Sequence, residues 1–379
     1  MVMTSRTSPS TKRGGENDWW LALAAIGVAL FGVVMIYTAT RSGLVVQGLP
    51  GTYFLKRQGV FVLISIVVMG LLWRGDYRRI EQIATAAYVG LLILLLAVLS
   101  PFGSNALGAQ RWFSLGPIQI QPSEFAVLAV VLAVSTYCNR RPEGLTLRDV
   151  SRLLLMAGIP IALILVQPDL GTAIILSVVL MVMLAVAGVP GRILLLLLGA
   201  GVLVVIVAVA GGFLSSYQIH RLTSFLNQNS TNPSLQTAIY NVKQAKIAIG
   251  SGGLWGSGIG QGVQTNLGYV PEQQTDFIFT AVGEQLGFLG TTVVLSALGF
   301  VGYRILRAAI QAKDILGQLL CAGIFAFYTF SVFQNAGMTM GIMPVTGIPL
   351  PFLSYGGSAA LVFFIATGIV LSVEARRGG

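Results

Sequence analysis

Apolar runs of about twenty residues recur along this chain, separated by short polar or glycine- and proline-containing connections. Ten runs stand out, at about 19–40, 57–73, 82–100, 122–138, 152–167, 169–188, 191–213, 276–302, 316–340 and 356–373. A helix needs roughly 20 residues to cross the hydrocarbon core of a bilayer, so each run predicts one spanning helix. Barrel strands would alternate apolar and polar positions over about ten residues, a pattern this chain lacks. Only Gln167, Pro168 and Asp169 divide the fifth run from the sixth. Pro168 predicts a tight turn there, because a proline inside a helix removes a hydrogen bond and clashes with the turn before it. The expected fold is all-α: a polytopic integral membrane protein with ten transmembrane helices and a large extracytoplasmic loop. Residues 19–373 read as one membrane domain, with tails at 1–18 and 374–379.

The polar connections are unequal. One set is short and basic; the other includes segments at 101–121, 214–275 and 341–355. A segment as long as 214–275 between spans is normally functional or has structure of its own. Within it, SLQTAIYNVKQAKIAIG places Ile239, Val242, Ala245 or Lys246, and Ile249 at helical spacing. That predicts an amphipathic helix near the outer interface, with Lys243 and Lys246 towards the headgroups. GSGGLWGSGIGQG, 250–262, follows. Its glycines predict either a loop with unusual dihedrals or backbone amides that approach a phosphate. It lacks the GK[ST] of a Walker motif. No internal repeat of the inverted-transporter kind is visible.

Composition sharpens this picture. The 379 residues are 55% hydrophobic and 9% charged, with a mean hydropathy of +0.82, where soluble domains carry about 25% charged residues. The net charge of +10 is a topology signal and not a nucleic-acid footprint. With ten spans, sixteen of the 23 Lys and Arg fall on the side of the two termini, which places both tails in the cytoplasm. Cys138 and Cys321 lie at or within different spans and read as small buried hydrophobes. His220 is alone and makes no metal cluster. The 19–40 run is too long for the apolar region of a cleavable signal and reads as a span.

The candidate chemistry lies on the other side. Eight of the thirteen carboxylates sit with the termini; Glu124, Asp169, Glu272, Asp276 and Glu284 lie at or inside the opposite ends of spans. Acids at membrane depth are costly and imply function by default, although each could simply pair with a base such as Arg111 or Arg221. In PEQQTDFIFTAVGEQLGF, Asp276 stands where a polar loop meets a helix start. It could cap that helix. It is also suited to general-base work, since partial desolvation raises a carboxyl above its ordinary value of about 3.9. Glu284, two turns deeper and about 80° round the helix, reads as structural support. GAQRWFSLGPIQIQPSEF adds Arg111, suited to bidentate phosphate contacts, Trp112 and Glu124. Outer-face bases, a glycine loop and a candidate base together point to an anionic, phosphate-bearing, lipid-linked substrate.

GAQRWFSLGPIQIQPSEFA, QPDLGTA (167–173), IAIGSGGLWGSG (247–258), PEQQTDFIF (271–279) and GIMPVTGIPLPFLSYGGSA (341–359), in this order, resemble the SEDS proteins, the RodA/FtsW-type peptidoglycan polymerases. The resemblance covers nearly all of 19–373. It implies a ten-helix fold and the polymerisation of lipid II, a disaccharide-pentapeptide on undecaprenyl pyrophosphate, outside the bacterial cytoplasmic membrane. It also implies a class B penicillin-binding protein, a transpeptidase, as partner. By this resemblance Asp276 is catalytic, and Arg111, Trp112, Glu124 and Asp169 match other functional positions. Arg221, Lys243 and Lys246, or a divalent cation such as Mg2+ or Mn2+, would join Arg111 in stabilising the pyrophosphate. Departures from the family pattern are Gln274 for histidine, Val127 and Ser257 for lysines, Ala245 for serine and Gln285 for glutamate. Val127 and Gln285 would compensate one another if the residues they replace form a pair. The short amino-terminal tail favours an elongation role over a division-specific, FtsW-type one. The rival readings are a lipid II flippase, or a scaffold that only recruits the transpeptidase.

Overall fold

The computed structural model describes residues 18–377 except 102, 107, 108, 117, 142, 213–218, 220, 222, 224, 226, 229 and 231–235. His220, the tail residues 1–17, Gly378 and Gly379, and parts of the 214–275 loop lie outside the described residues.

Twelve helices and one small sheet are described: α1 Trp19–Val46, α2 Tyr53–Arg74, α3 Ile80–Val98, α4 Pro122–Asn139, α5 Leu147–Val166, α6 Leu170–Val186, α7 Gly191–Ala210, α8 Gln236–Ser251, α9 Val263–Asn266, α10 Ile278–Gln311, α11 Ile315–Thr339 and α12 Gly357–Ala375. Among the described residues, nine helices are long and apolar enough to cross a membrane. The remaining apolar run is α6, a helix of 17 residues. The chain is therefore an all-α, polytopic membrane protein with about nine candidate spans. Side-chain caps start several of them. Asp18 accepts from the Leu21 amide at the head of α1, Thr146 and Asp149 form a capping box on α5, and Asp314 accepts from the Gly317 amide on α11.

The 101–121 segment is a three-stranded antiparallel sheet, β1 Ser104–Ala106, β2 Ala109–Leu115 and β3 Ile118–Ile120, in the order β1-β2-β3. The sequence predicts only a connecting loop here, because strands this short carry almost no alternation. The amphipathic helix expected in the long loop is α8. It buries Ile239, Val242, Ala245 and Ala248 and packs against α10.

Helices α4, α11 and α12 bury most of their surface, and the stacked rings of Phe327 and Phe363, 4.8 Å apart, join the last two. At one end of the bundle the acids are paired: Asp18 with Arg304 (2.6 Å), Glu374 with Arg377 (3.3 Å), Asp314 with Arg78 (3.2 Å), Glu81 with Arg140 (3.1 Å) and Asp149 with Arg141 (2.7 Å). All of them belong to the termini-side set. The remaining acids face a different problem.

Candidate active site

Asp276 lies in a turn locked from several directions. The carbonyl of Glu272, a residue in the left-handed region at φ 49°, accepts from the amides of Thr275, Asp276 and Phe277. Phe277 plugs into a small apolar cluster with Val242, Ala245, Val270, Met338 and Val345. Three further groups grip the main chain: Ser354 Oγ donates to the Thr275 carbonyl (2.6 Å), the Tyr355 amide to that of Gln274 (2.8 Å), and Asn335 Nδ2 to that of Asp276 (2.9 Å). These contacts bind the turn to α11 and to the 341–356 segment. They fix where the carboxylate points.

Asp276 is not the helix cap. Phe277 occupies that position in α10, and no side chain caps it. The Asp276 carboxylate instead faces a cavity of about 590 Å³. Its Oδ2 lies 3.2 Å from where a Cβ on Gly347 would stand, and Arg221 Nη1 lies 3.6 Å from the same point. Gly347 has φ +75°, so the absent side chain and the left-handed backbone together let the chain pass close to the acid. Burial pushes the Asp276 carboxyl up to about 6; Glu272 and Asp169 push the same way, against Arg221 and Arg111.

Arg111, Trp112, Glu124, Asp169 and Arg221 line this same cavity with Asp276. Arg111, on β2, donates Nε to the Gln167 carbonyl at 2.7 Å and Nη2 to that of Pro168. It thereby clamps the turn between α5 and α6. Asp169 caps α6, accepting from the Thr172 amide (3.1 Å) and hydroxyl (2.9 Å), and also from Ser123 Oγ (3.0 Å) and Gln121 Nε2 (3.1 Å). Glu124, in the first turn of α4, keeps one buried oxygen without a partner. Phe61, Ile175, Phe327, Val362 and Phe363 add apolar surface to the lining. One cavity thus holds charged and apolar side chains together.

Three expected residues lie elsewhere. Lys243 and Lys246 are exposed on α8 and do not line the cavity; Lys246 Nζ donates to Gln228 Oε1 at 2.8 Å. Glu284 is buried on α10 and accepts from the Gln264 amide (2.6 Å), the Thr265 amide (2.9 Å) and the Thr265 hydroxyl (2.6 Å). Its angular relation to Asp276 does not follow a single helix, because Asp276 precedes α10.

The glycine loop serves packing. α10 is broken at Gly287 (φ 66°, ψ −161°), and a Cβ there would stand 2.4 Å from the Gly256 nitrogen. Across this break the amides of Ser257 and Gly258 donate to the carbonyls of Glu284 and Gln285. In return, those of Phe288 and Leu289 donate to Gly253 and Leu254. The loop satisfies backbone groups that the broken helix frees. Those amides are spent inside the protein, which overturns the phosphate-cradle reading for them. Gln285 Oε1 accepts from the Gly260 amide, whereas Val127 lines the cavity. The two substituted positions therefore have separate surroundings.

Sequence reading missed Asn335 and Ser354. Asn335 carried a usable signal, an amide near the end of an apolar run, where polar groups are costly and need a role. Among the described residues no group of three or more His, Cys, Asp or Glu side chains forms a metal site.

The family model described as "Cell cycle protein", FtsW/RodA/SpoVE, matches residues 18–378. This chain belongs to the FtsW/RodA family of peptidoglycan glycosyltransferases. It is 33% identical over 366 residues to the probable peptidoglycan glycosyltransferase FtsW of Trichlorobacter lovleyi, covering 96% of this chain and 94% of that one. It is 37% identical over 321 residues to the peptidoglycan glycosyltransferase MrdB of Escherichia coli K12, covering 83% and 84%. Among solved structures, a chain of a peptidoglycan synthase complex that coordinates polymerization and crosslinking superposes with a TM-score of 0.79 at 29% identity, over 95% of this chain and 98% of that chain. The Thermus thermophilus rod shape determining protein RodA superposes at 0.70 and 28%, over 95% and 97%.

Proposed function

We propose that this family member polymerises lipid II into glycan strands at the outer face of the cytoplasmic membrane, with Asp276 as general base. Asp276 takes the proton of the acceptor GlcNAc 4-hydroxyl as that oxygen attacks the anomeric carbon of the donor MurNAc. The new C–O bond forms with inversion while the bond to undecaprenyl pyrophosphate breaks. Arg111 and Arg221 meet the charge that develops on the leaving group. General-base help of this kind is worth roughly 10²–10⁴ in rate. Trp112, Glu124 and Asp169 contact substrate from the cavity lining. Lys243 and Lys246, outside the cavity, would act only on parts of the substrate that extend beyond it. Glu284 supports the loop beneath.

One observation carries this reading: a half-buried carboxylate, with two arginines acting on it, in a cavity lined by both charged and apolar side chains. Such a cavity suits a molecule that is half sugar phosphate and half lipid. In topology, α6 completes ten spans and both tails are cytoplasmic; the ion-paired, arginine-rich end supports that orientation. The partner is a class B penicillin-binding protein, and the role is cell elongation. Supplying this chain to cells depleted of their own elongation or division polymerase separates the two roles, by recovery of rods from spheres or of septa from filaments.

The deciding assay is polymerisation of lipid II by the purified chain, with and without its partner. Asp276→Asn and Asp276→Ala proteins should make no glycan above background. Near-normal glycan chains from either would refute the role.

A further inference from the structure

Arg57 is a cation that the reaction above does not use. It lies on α2, half-buried, and lines the same cavity as Asp276. Its Nη1 donates to the Tyr53 hydroxyl at 2.5 Å, and its guanidinium lies 4.9 Å from the centre of the Tyr53 ring. Among the described residues no carboxylate pairs with it. A guanidinium partly withdrawn from water with a phenol as its partner is under-compensated. Arginine in such a setting suits a phosphate, which its fork can bind through two parallel hydrogen bonds.

The helix that carries Arg57 is anchored to the segment that holds the Asp276 turn. Gln58, the next residue, accepts from the Gly356 amide at 3.2 Å and donates to the Ser354 carbonyl at 3.4 Å. Ser354 in turn holds the Asp276 turn through the Thr275 carbonyl. Phe54 and Tyr355 meet edge to face, 4.8 Å apart, beside it. Arg221 and Arg111 are the cations that act most on Asp276, whereas Arg57 enters the cavity from α2 and pairs with Tyr53. It is a further positive position in the cavity.

Chain growth requires two such positions. The donor and the acceptor each carry a pyrophosphate. The donor's departs from the carbon under attack. The acceptor's stays, separated from the attacking 4-hydroxyl by a whole disaccharide. We propose that Arg57, with the Tyr53 hydroxyl, binds the pyrophosphate of the acceptor substrate, the one retained in the product. This rests on the polymerase reading above.

The test is initial polymerisation rate against lipid II concentration, with the purified full chain in phospholipid-free detergent. Arg57→Ala should raise KM about tenfold or more with kcat within about threefold, the signature of lost binding without lost chemistry. Arg57→Lys, which keeps the charge and loses the fork, should fall between. Asp276→Asn should instead lose kcat. An unchanged KM in Arg57→Ala, or a loss confined to kcat, would overturn the assignment while leaving the polymerase reading intact. So would a defect seen only in phospholipid nanodiscs, which would make Arg57 a headgroup contact. If Arg57→Ala does not purify as a single species, Arg57→Gln carries the same comparison. A wild-type chain that makes no glycan would remove the polymerase reading and this assignment with it.

Discussion

The side-chain amide of Asn335 donates to the main-chain carbonyl of Asp276 at 2.9 Å and to that of Ile348 at 2.8 Å. One fully buried side chain on α11 therefore joins the turn bearing the candidate base to the segment that passes over it. Replacing it by Leu would leave two carbonyls without their donor, at about 1–3 kcal/mol each. Asn335→Leu should lower the thermal midpoint and reduce kcat more than tenfold. Asn335→Asp, which keeps the shape but not the donor, should not rescue it. Turnover and thermal unfolding of the purified variants check this.

The pH profile should report Asp276. Its carboxyl is pushed up to about 6, chiefly by burial, and a general base works only when ionised. Below that value the rate should fall tenfold per pH unit, and above it the acid limb should flatten. Stability carries the opposite sign. A carboxyl whose folded value is raised favours the fold while protonated, and that contribution is lost as pH rises through about 6. Arg221→Gln removes a charge that holds the value down, so it should move the acid limb of the rate upward. A profile unmoved by either Asp276→Glu or Arg221→Gln would point to another base.

Gly347→Ala tests the close approach over the acid. The residue sits at φ +75°, and its new methyl would stand 3.2 Å from Asp276 Oδ2. The left-handed conformation alone costs a non-glycine residue roughly 1–2 kcal/mol. Activity should fall about tenfold or more, because relief of the crowding displaces the carboxylate. Steady-state kinetics beside a melting curve separate the local effect from loss of fold.

Glu284→Ala should destabilise the protein without touching the cavity. The buried carboxylate takes three hydrogen bonds from Gln264 and Thr265, and removing it strands those donors at roughly 3 kcal/mol or more. A lowered unfolding midpoint, with KM near wild type in the folded fraction, is the expected result. Glu284→Gln should be milder, since one oxygen acceptor remains.

At the opposite end, Arg304→Met should cost about 3–5 kcal/mol, because it leaves the buried acids unpaired. Arg304 lies 2.6 Å from Asp18 and 3.7 Å from Glu374, both almost wholly buried. Adding Asp18→Asn, which still caps α1, should recover part of the loss. A double-mutant cycle on thermal stability measures it.

Much of this was legible in the chain. The apolar period located every spanning helix to within a few residues at most ends, and the helical spacing of Ile239 and Val242 located α8. The small sheet was not legible, because three-residue strands carry no period. Nor was the break at Gly287. A glycine inside an apolar run looks the same whether it packs a helix or ends one, and only the loop returning through Gly256 makes it a break. Position along one hydrophobic run told Asp276, at its mouth, from Glu284, within it. What each faces was not legible: a cavity for one, the amides of Gln264 and Thr265 for the other.

Hydrophobic period, charge asymmetry and motif order by themselves determined that this is a polytopic membrane protein of the FtsW/RodA family. Bilayer thickness and the cost of unpaired backbone in hydrocarbon leave a chain so patterned little choice. Which side chains share a cavity was decided only in three dimensions. Arg57, Arg111, Asp169, Arg221 and Asp276 come from five separate stretches of the chain, and no spacing along it encodes how helices pack across it. Packing also set the protonation of the candidate base, since a carboxyl is desolvated by whatever neighbours the fold brings to it.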